Sequence, residues 1–174
     1  MRYAGSRRTK GGDVADQDGT GVTARLTGLG RFQTRIDVRG GAIMADEPAE
    51  VGGLGTGPTP YELLSAALGA CTAMTLKLYA ERKGWTLPDL EVEVAHSREP
   101  SGRDRFTRRI SYDGDLRGEW QAKMIEIADK CPVHRTLMRG FEIVTTAGHR
   151  EPESIPAAEP VGQHERDMEE ACAD

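Results

Sequence analysis

Apolar and polar residues alternate as soon as the first regular pattern begins. Val22, Ala24 and Leu26 interleave with Thr23, Arg25 and Thr27, which predicts a strand with one buried face. Gly28-Leu29-Gly30 turns the chain, and Phe32, Thr34, Ile36 and Val38 alternate again, so the two runs form a hairpin. Gly40-Gly41 makes a second turn into a short strand near residues 42–44. The next fifteen residues, DEPAEVGGLGTGPTP, form a Gly/Pro loop of a length that is usually functional or mobile. Beyond it the period changes. From Leu63 to Ala80 nearly every residue is apolar or small, interrupted only by Ser65, Gly69, Thr72, Thr75 and Lys77. Pro58 and Pro60 before this run, Glu62 in its first turn and Lys83-Gly84 at its end are helix start and stop signals. A surface helix carries one apolar stripe. This one is apolar most of the way round, which predicts a buried central helix. A membrane span also needs about twenty apolar residues, but Lys77 and the many Ala, Gly, Ser and Thr positions favour the core of a folded domain.

After the helix, Leu90, Val92, Val94 and His96 alternate with Glu91, Glu93 and Ala95. A polar EPSGRD turn leads to Phe106, Arg108, Ile110 and Tyr112 on one face, a second hairpin whose other face, with Arg105 and Arg109, is wet. Residues 118–130 read as a helix, with Trp120, Met124, Ile127 and Cys131 along one stripe. Pro132 starts a further helix through Arg139 that Gly140 ends, and Phe141, Ile143 and Thr145 predict a last strand. Strands, a long helix, a strand pair, helices and a strand make an α+β domain rather than a βαβ repeat. The domain spans 21–147. Residues 1–20, polar and Gly-rich without period, are expected to be a disordered leader. Residues 148–174 hold eight acidic residues, two arginines and three prolines and are expected to be an acidic disordered tail, with Cys172 incidental in it.

The length of 174 residues fits one domain with a real core. A formal net charge of −5 without a basic patch speaks against general nucleic-acid binding. Three cysteines, Cys71, Cys131 and Cys172, are too few and too scattered for a secreted disulfide scaffold. No secretory apolar segment precedes residue 20, and Asp13, Asp16 and Asp18 beside the early arginines are unlike a transit peptide. The expected setting is cytoplasmic, where a thiol is kept for its own reason.

Two thiols invite chemistry. Cys71 lies in the middle of the central helix among Ala67, Gly69, Ala70 and Ala73, which let other backbone approach. On its own, a buried cysteine is commonly just a small hydrophobe. Cys131 precedes Pro132 at a helix start, where unpaired amides favour a thiolate. The run CPVH suggests zinc, but zinc takes about four ligands and no second pair of them exists. A Cys–His acyl-transfer dyad with His134 or His96 as base lacks any oxyanion signature.

Taken as a pair, the anchors GPTPYELLSAALGACTAMTL and ADKCPVHRTL resemble the OsmC/Ohr family of osmotically induced and organic hydroperoxide resistance proteins, in its OsmC-like branch, over residues 21–146. The resemblance implies an OsmC-like fold, with antiparallel sheets around a long central helix, in an intertwined homodimer. It implies thiol-dependent reduction of organic hydroperoxides, with no metal or bound cofactor and a dithiol reductant such as a lipoylated protein or small thiol. By position, Cys71 matches the peroxidatic cysteine and Cys131 the resolving one. Arg31 matches the activating arginine, with Arg35 as the alternative alignment. The family's glutamate ten residues before the peroxidatic cysteine falls on Tyr61. Glu62 comes one residue later, on the opposite side of the helix from Cys71, and is expected to serve the helix start. The rival to a peroxidase is a non-catalytic OsmC-like module that binds an apolar ligand between subunits.

Overall fold

Thr59 starts the helix around which the chain packs, α1 (Pro60–Arg82). Its hydroxyl accepts a hydrogen bond from the Glu62 amide (3.2 Å), while Glu62 Oε2 accepts one from the Thr59 amide (2.7 Å). Two donors that a first turn would leave unpaired are thereby satisfied, and Pro60 at the next position has no amide to lose. Glu62 thus serves the helix start, as its place in the sequence suggests. The Thr59 amide and hydroxyl hold its carboxyl below the ordinary value of 4.5. The 23 residues of α1 span about 34 Å at 1.5 Å per residue.

The computed structural model describes residues 21–87, 89–112, 118–148, 167–168 and 170–172. The expected leader, 1–20, and most of the expected acidic tail, 148–174, lie outside them. In chain order the remaining elements are β1 (Thr23–Leu26), β2 (Thr34–Val38), β3 (Gly41–Ala45), a 3-10 turn at Ala49–Val51, then after α1 β4 (Leu90–Arg98), β5 (Asp104–Tyr112), α2 (Gly118–Asp129) and α3 (Pro132–Arg139). β1–β2–β3 form an antiparallel meander in which Ala24 faces Ile36 and Ile36 faces Ile43. β4 and β5 form a separate hairpin, with Val94 opposite Arg108 and His96 opposite Phe106.

β4 lies along α1, and α2 and α3 close over it. One core cluster joins Leu76 and Tyr79 of α1 to Met124, Ile127 and Ala128 of α2; the second joins Leu68 and Cys71 to Cys131. By length and composition α1 could cross a membrane, yet half of its most apolar stretch is buried against these elements, as befits a core helix. The polar residues inside the run are accommodated locally. Thr72 and Thr75 are fully buried, and their hydroxyls donate to the carbonyls of Leu68 and Cys71, each at 2.7 Å.

The loop before α1 is internally bonded, and three expectations are corrected. Buried Asp46 accepts hydrogen bonds from the amides of Glu47, Leu54 and Thr56 and from the Thr56 hydroxyl, and these outweigh burial and hold its carboxyl below the ordinary range. Gly53 and Gly57 are required there, because a Cβ at either would fall 1.8 Å from a carbonyl oxygen, of Glu47 and Met44 respectively. Ala24 and Leu26, expected to face a core, are exposed within one chain, since the meander makes no substantial contact with α1, the hairpin or the later helices. Residues 141–145 form no strand, because among the described residues no strand edge pairs with them; Phe141, Ile143 and Val144 are exposed. Cys172 is not incidental. Asp167, Met168, Glu170 and Ala171 are helical, and Cys172 is buried against the first core cluster with its sulfur 3.6 Å from the Thr75 carbonyl oxygen.

Candidate functional site

Cys71 projects from the middle of α1 on its buried side. Cys131 reaches the same place from the junction of α2 and α3. The α2 stripe of Met124 and Ile127 presses that helix onto α1, and the chain then turns tightly, with Cys131 N donating to the Ala128 carbonyl. Pro132 cannot extend α2 and instead opens α3, making Cys131 the residue that caps it. Two helices packed on α1 thus bring residues sixty apart in sequence together: the sulfurs of Cys71 and Cys131, both free thiols, lie 2.6 Å apart. Leu68, Val94, Phe106, Val133 and Leu137 enclose them.

The two thiols are electrically unequal. Its hydrogen bond with Cys71 lowers Cys131 to about 6; burial opposes this, while the His134 and Val133 amides add to it. Cys71 is pushed above the ordinary thiol range, first by its hydrogen bond with Cys131 and then by burial. Its mid-helix position lies too far from the helix start to gain from the dipole. In the reduced pair the α3 amides favour negative charge on Cys131, while burial disfavours it on Cys71.

Arg31 lies exposed on the turn between β1 and β2 with its guanidinium 5.1 Å from the Phe32 ring centre, and it is not among the groups around either sulfur within this chain. Arg35, the alternative, pairs with Asp37 at 2.8 Å on the exposed face of β2. Arg108 of β5 bonds to the neighbours of both cysteines, donating to Thr72 Oγ1 (2.9 Å), to the Ala128 carbonyl (2.9 Å) and to Asp129 Oδ1 (2.8 Å). Sequence reasoning assigned it no role. The available signal was an arginine on the otherwise apolar face of Phe106, Ile110 and Tyr112. Tyr61 turns the other way: its ring stacks on His96 at 4.1 Å, and its hydroxyl accepts from Arg98 at 3.2 Å. His96 itself is held by Asp104 at 3.0 Å, and His134 Nδ1 lies 3.9 Å from Asp129 Oδ1.

A pocket of about 440 Å³ opens beside the pair. Leu68, Phe106, Ile110 and Met124 form its apolar wall and Arg108 and His134 part of its polar side. Leu68 and Phe106 belong both to this wall and to the packing around the cysteines, so these two side chains separate the pocket from the buried thiols. Among the described residues no group of three or more His, Cys, Asp or Glu side chains is placed to hold a metal ion.

A family model described as OsmC-like protein matches residues 53–146, over half of the chain. Comparison with functionally curated proteins gave no match. The fold is similar to that of a putative osmotic stress induced and detoxification response protein from Psychrobacter arcticus, at 19% identity and a TM-score of 0.57, over 66% of this chain and 85% of that one. An OsmC like protein from Mycoplasma pneumoniae is similar at 23% identity and a TM-score of 0.55, over 68% and 86%. An organic hydroperoxide resistance protein OsmC from Legionella pneumophila is similar at 18% identity and a TM-score of 0.53, over 68% and 88%.

Proposed function

The chain belongs to the OsmC-like protein family, and from that premise we propose that it is a thiol-dependent peroxidase acting on organic hydroperoxides. The observation that carries this reading is the pair of free sulfurs 2.6 Å apart beside an apolar pocket. In the proposed reaction the Cys71 sulfur attacks one peroxide oxygen. A sulfur–oxygen bond forms, the oxygen–oxygen bond breaks, and an alcohol leaves with a proton, so that sulfur is oxidised by two electrons to a sulfenic acid. Cys131 then condenses with it, expelling water and forming a disulfide. A dithiol, either a lipoylated protein or a small thiol, returns the two electrons. Because the reduced pair holds one proton between adjacent sulfurs, its transfer to Cys131 as the peroxide approaches frees Cys71 to attack.

Treating the reduced protein with cumene hydroperoxide and mapping the products by mass spectrometry tests the reading. The expected product is a Cys71–Cys131 disulfide with stoichiometric loss of peroxide. The alternative, a non-catalytic module that holds an apolar ligand, rests on the same pocket; it predicts occupancy without consumption and two thiols left reduced.

The working unit in this reading is a homodimer in the cytoplasm, where thiols persist reduced. Three surfaces of the single chain support a second copy. Leu64, Ala67, Ala70 and Met74 form an uncovered stripe on α1. Leu26 and Ile43 lie open on the meander, and residues 141–145 carry a strand pattern without a strand to pair with among the described residues. Sedimentation at micromolar concentration is expected to give a dimer; a monomer would remove this part of the proposal.

A further inference from the structure

We propose that Arg108 is the positioning residue of the thiol pair, bridging the two backbone segments that carry Cys71 and Cys131 and offsetting the helix carbonyls beside them. The three hydrogen bonds of its guanidinium bridge the two backbones that carry the sulfurs. The bond to Thr72 Oγ1 is to the residue after Cys71 on α1. The bonds to the Ala128 carbonyl and Asp129 are to the last turn of α2, just before Cys131. A guanidinium stays charged at any accessible pH and presents its donors in a rigid planar fork, so it sets the spacing of those atoms.

Two electrostatic consequences follow from this geometry. Carbonyls at the end of α2 form the negative pole of that helix and would oppose a thiolate at Cys131; Arg108 offsets them where they are closest. At Thr72, the bond from Arg108 occupies an acceptor site of the hydroxyl. Its own hydrogen is donated to the Leu68 carbonyl, so the hydroxyl is held on both sides and fixes the guanidinium charge one residue from Cys71.

The other titratable groups around the pair do not duplicate this role. Asp129 is 56% exposed, so solvent screens its opposition to Arg108, whose side chain is only 12% exposed. His134 of α3 faces Asp129, and His96 of β4 faces Asp104. From α1, Cys71 is the partner thiol itself. Arg108 also lines the pocket, so the cation that bridges the two backbones borders the space a hydroperoxide would enter.

The inference rests on the peroxidase reading only for its consequence in turnover, and its test reads the thiols directly. Ultraviolet thiolate absorbance of the full chain is followed against pH, with alkylation mapped by mass spectrometry to name the reacting cysteine. Arg108→Gln removes the cation and is expected to raise the pair's first midpoint by about one pH unit, a tenfold loss of thiolate below that midpoint. Arg108→Lys keeps a point charge and is expected to recover most of the shift. An unchanged midpoint in folded Arg108→Gln overturns the proposal. Should that variant fail to fold, Thr72→Val decides, with Thr72→Ser as the control that keeps the hydroxyl. A raised midpoint in Thr72→Val alone supports the link through Thr72, and an unchanged one overturns it. Loss of the peroxidase reading would look different: the wild type would consume no hydroperoxide while the midpoint shift remained.

Discussion

Cys71→Ser is expected to abolish consumption of organic hydroperoxide, whereas Cys131→Ser is expected to complete one turnover and then over-oxidise at Cys71. The asymmetry comes from the oxidation ladder. A sulfenic acid with no second thiol beside it is exposed to further peroxide and climbs irreversibly to the sulfinic and sulfonic acids. Cys131 lies 2.6 Å from Cys71 and is the thiol placed to intercept it; Cys172 lies in the other core cluster. Removing Cys131 also removes the largest cause of the upward shift of Cys71, so the remaining thiol ionises more readily than in the intact pair. Peroxide consumption by the intact protein is expected to rise with pH as the pair loses its first proton near the lowered value of Cys131, about 6, and to fall away below it. Peroxide loss and the oxidation state of each cysteine, read by mass spectrometry, check both variants. Wild-type turnover in Cys71→Ser would end the assignment. Over-oxidation at Cys131 in Cys71→Ser, with Cys131→Ser inert, would exchange the two roles, an outcome to which the charge on Cys131 gives physical meaning.

Ile127→Ala is expected to cost about 2–5 kcal/mol of stability, the range for truncating a fully buried aliphatic side chain and leaving a cavity. For a chain of this size that is a fall of roughly 4–20 °C in melting temperature. Ile127 has no exposed surface and sits where α2 meets Leu76 and Tyr79 of α1, with Cys172 packed into the same cluster. The turn that delivers Cys131 follows directly, its amides bonded to the carbonyls of Ile127 and Ala128, so the loosened seam should also slow disulfide formation after peroxide treatment. Ile125→Ala on the same helix is the control. Ile125 is 56% exposed, and its truncation is expected to change stability by no more than about 0.5 kcal/mol. Thermal unfolding with and without reductant measures both; a loss below about 1 kcal/mol for Ile127→Ala would show that α2 is not a structural part of the core.

What the sequence determined by itself was local. The start of α1 at Pro60, the turn glycines of the first hairpin, both strands of the second, and α3 from Pro132 to Arg139 with Gly140 beyond it all follow from caps, turn residues and period, which act over a few neighbours. The unequal character of the two thiols was legible on the same grounds, since a cysteine before a proline at a helix start meets amides and a mid-helix one does not. Their contact was not. A spacing of sixty residues says nothing about distance until α2 and α3 fold onto α1, and only the resemblance of the two motifs to a family suggested the pair. Tertiary structure also decided which arginine bridges the backbones that carry the thiols within one chain. The odd charge at Arg108 was visible on an apolar strand face, but its three partners come from α1 and α2. The same holds for the misread segments. Residues 141–145 have the alternation of a strand, yet a strand exists only when another pairs with it, and Cys172 has acidic, unpatterned neighbours in sequence but an apolar cluster as its neighbours in space. Pattern reports what a segment can become, and pairing and burial, which depend on distant residues, decide what it is.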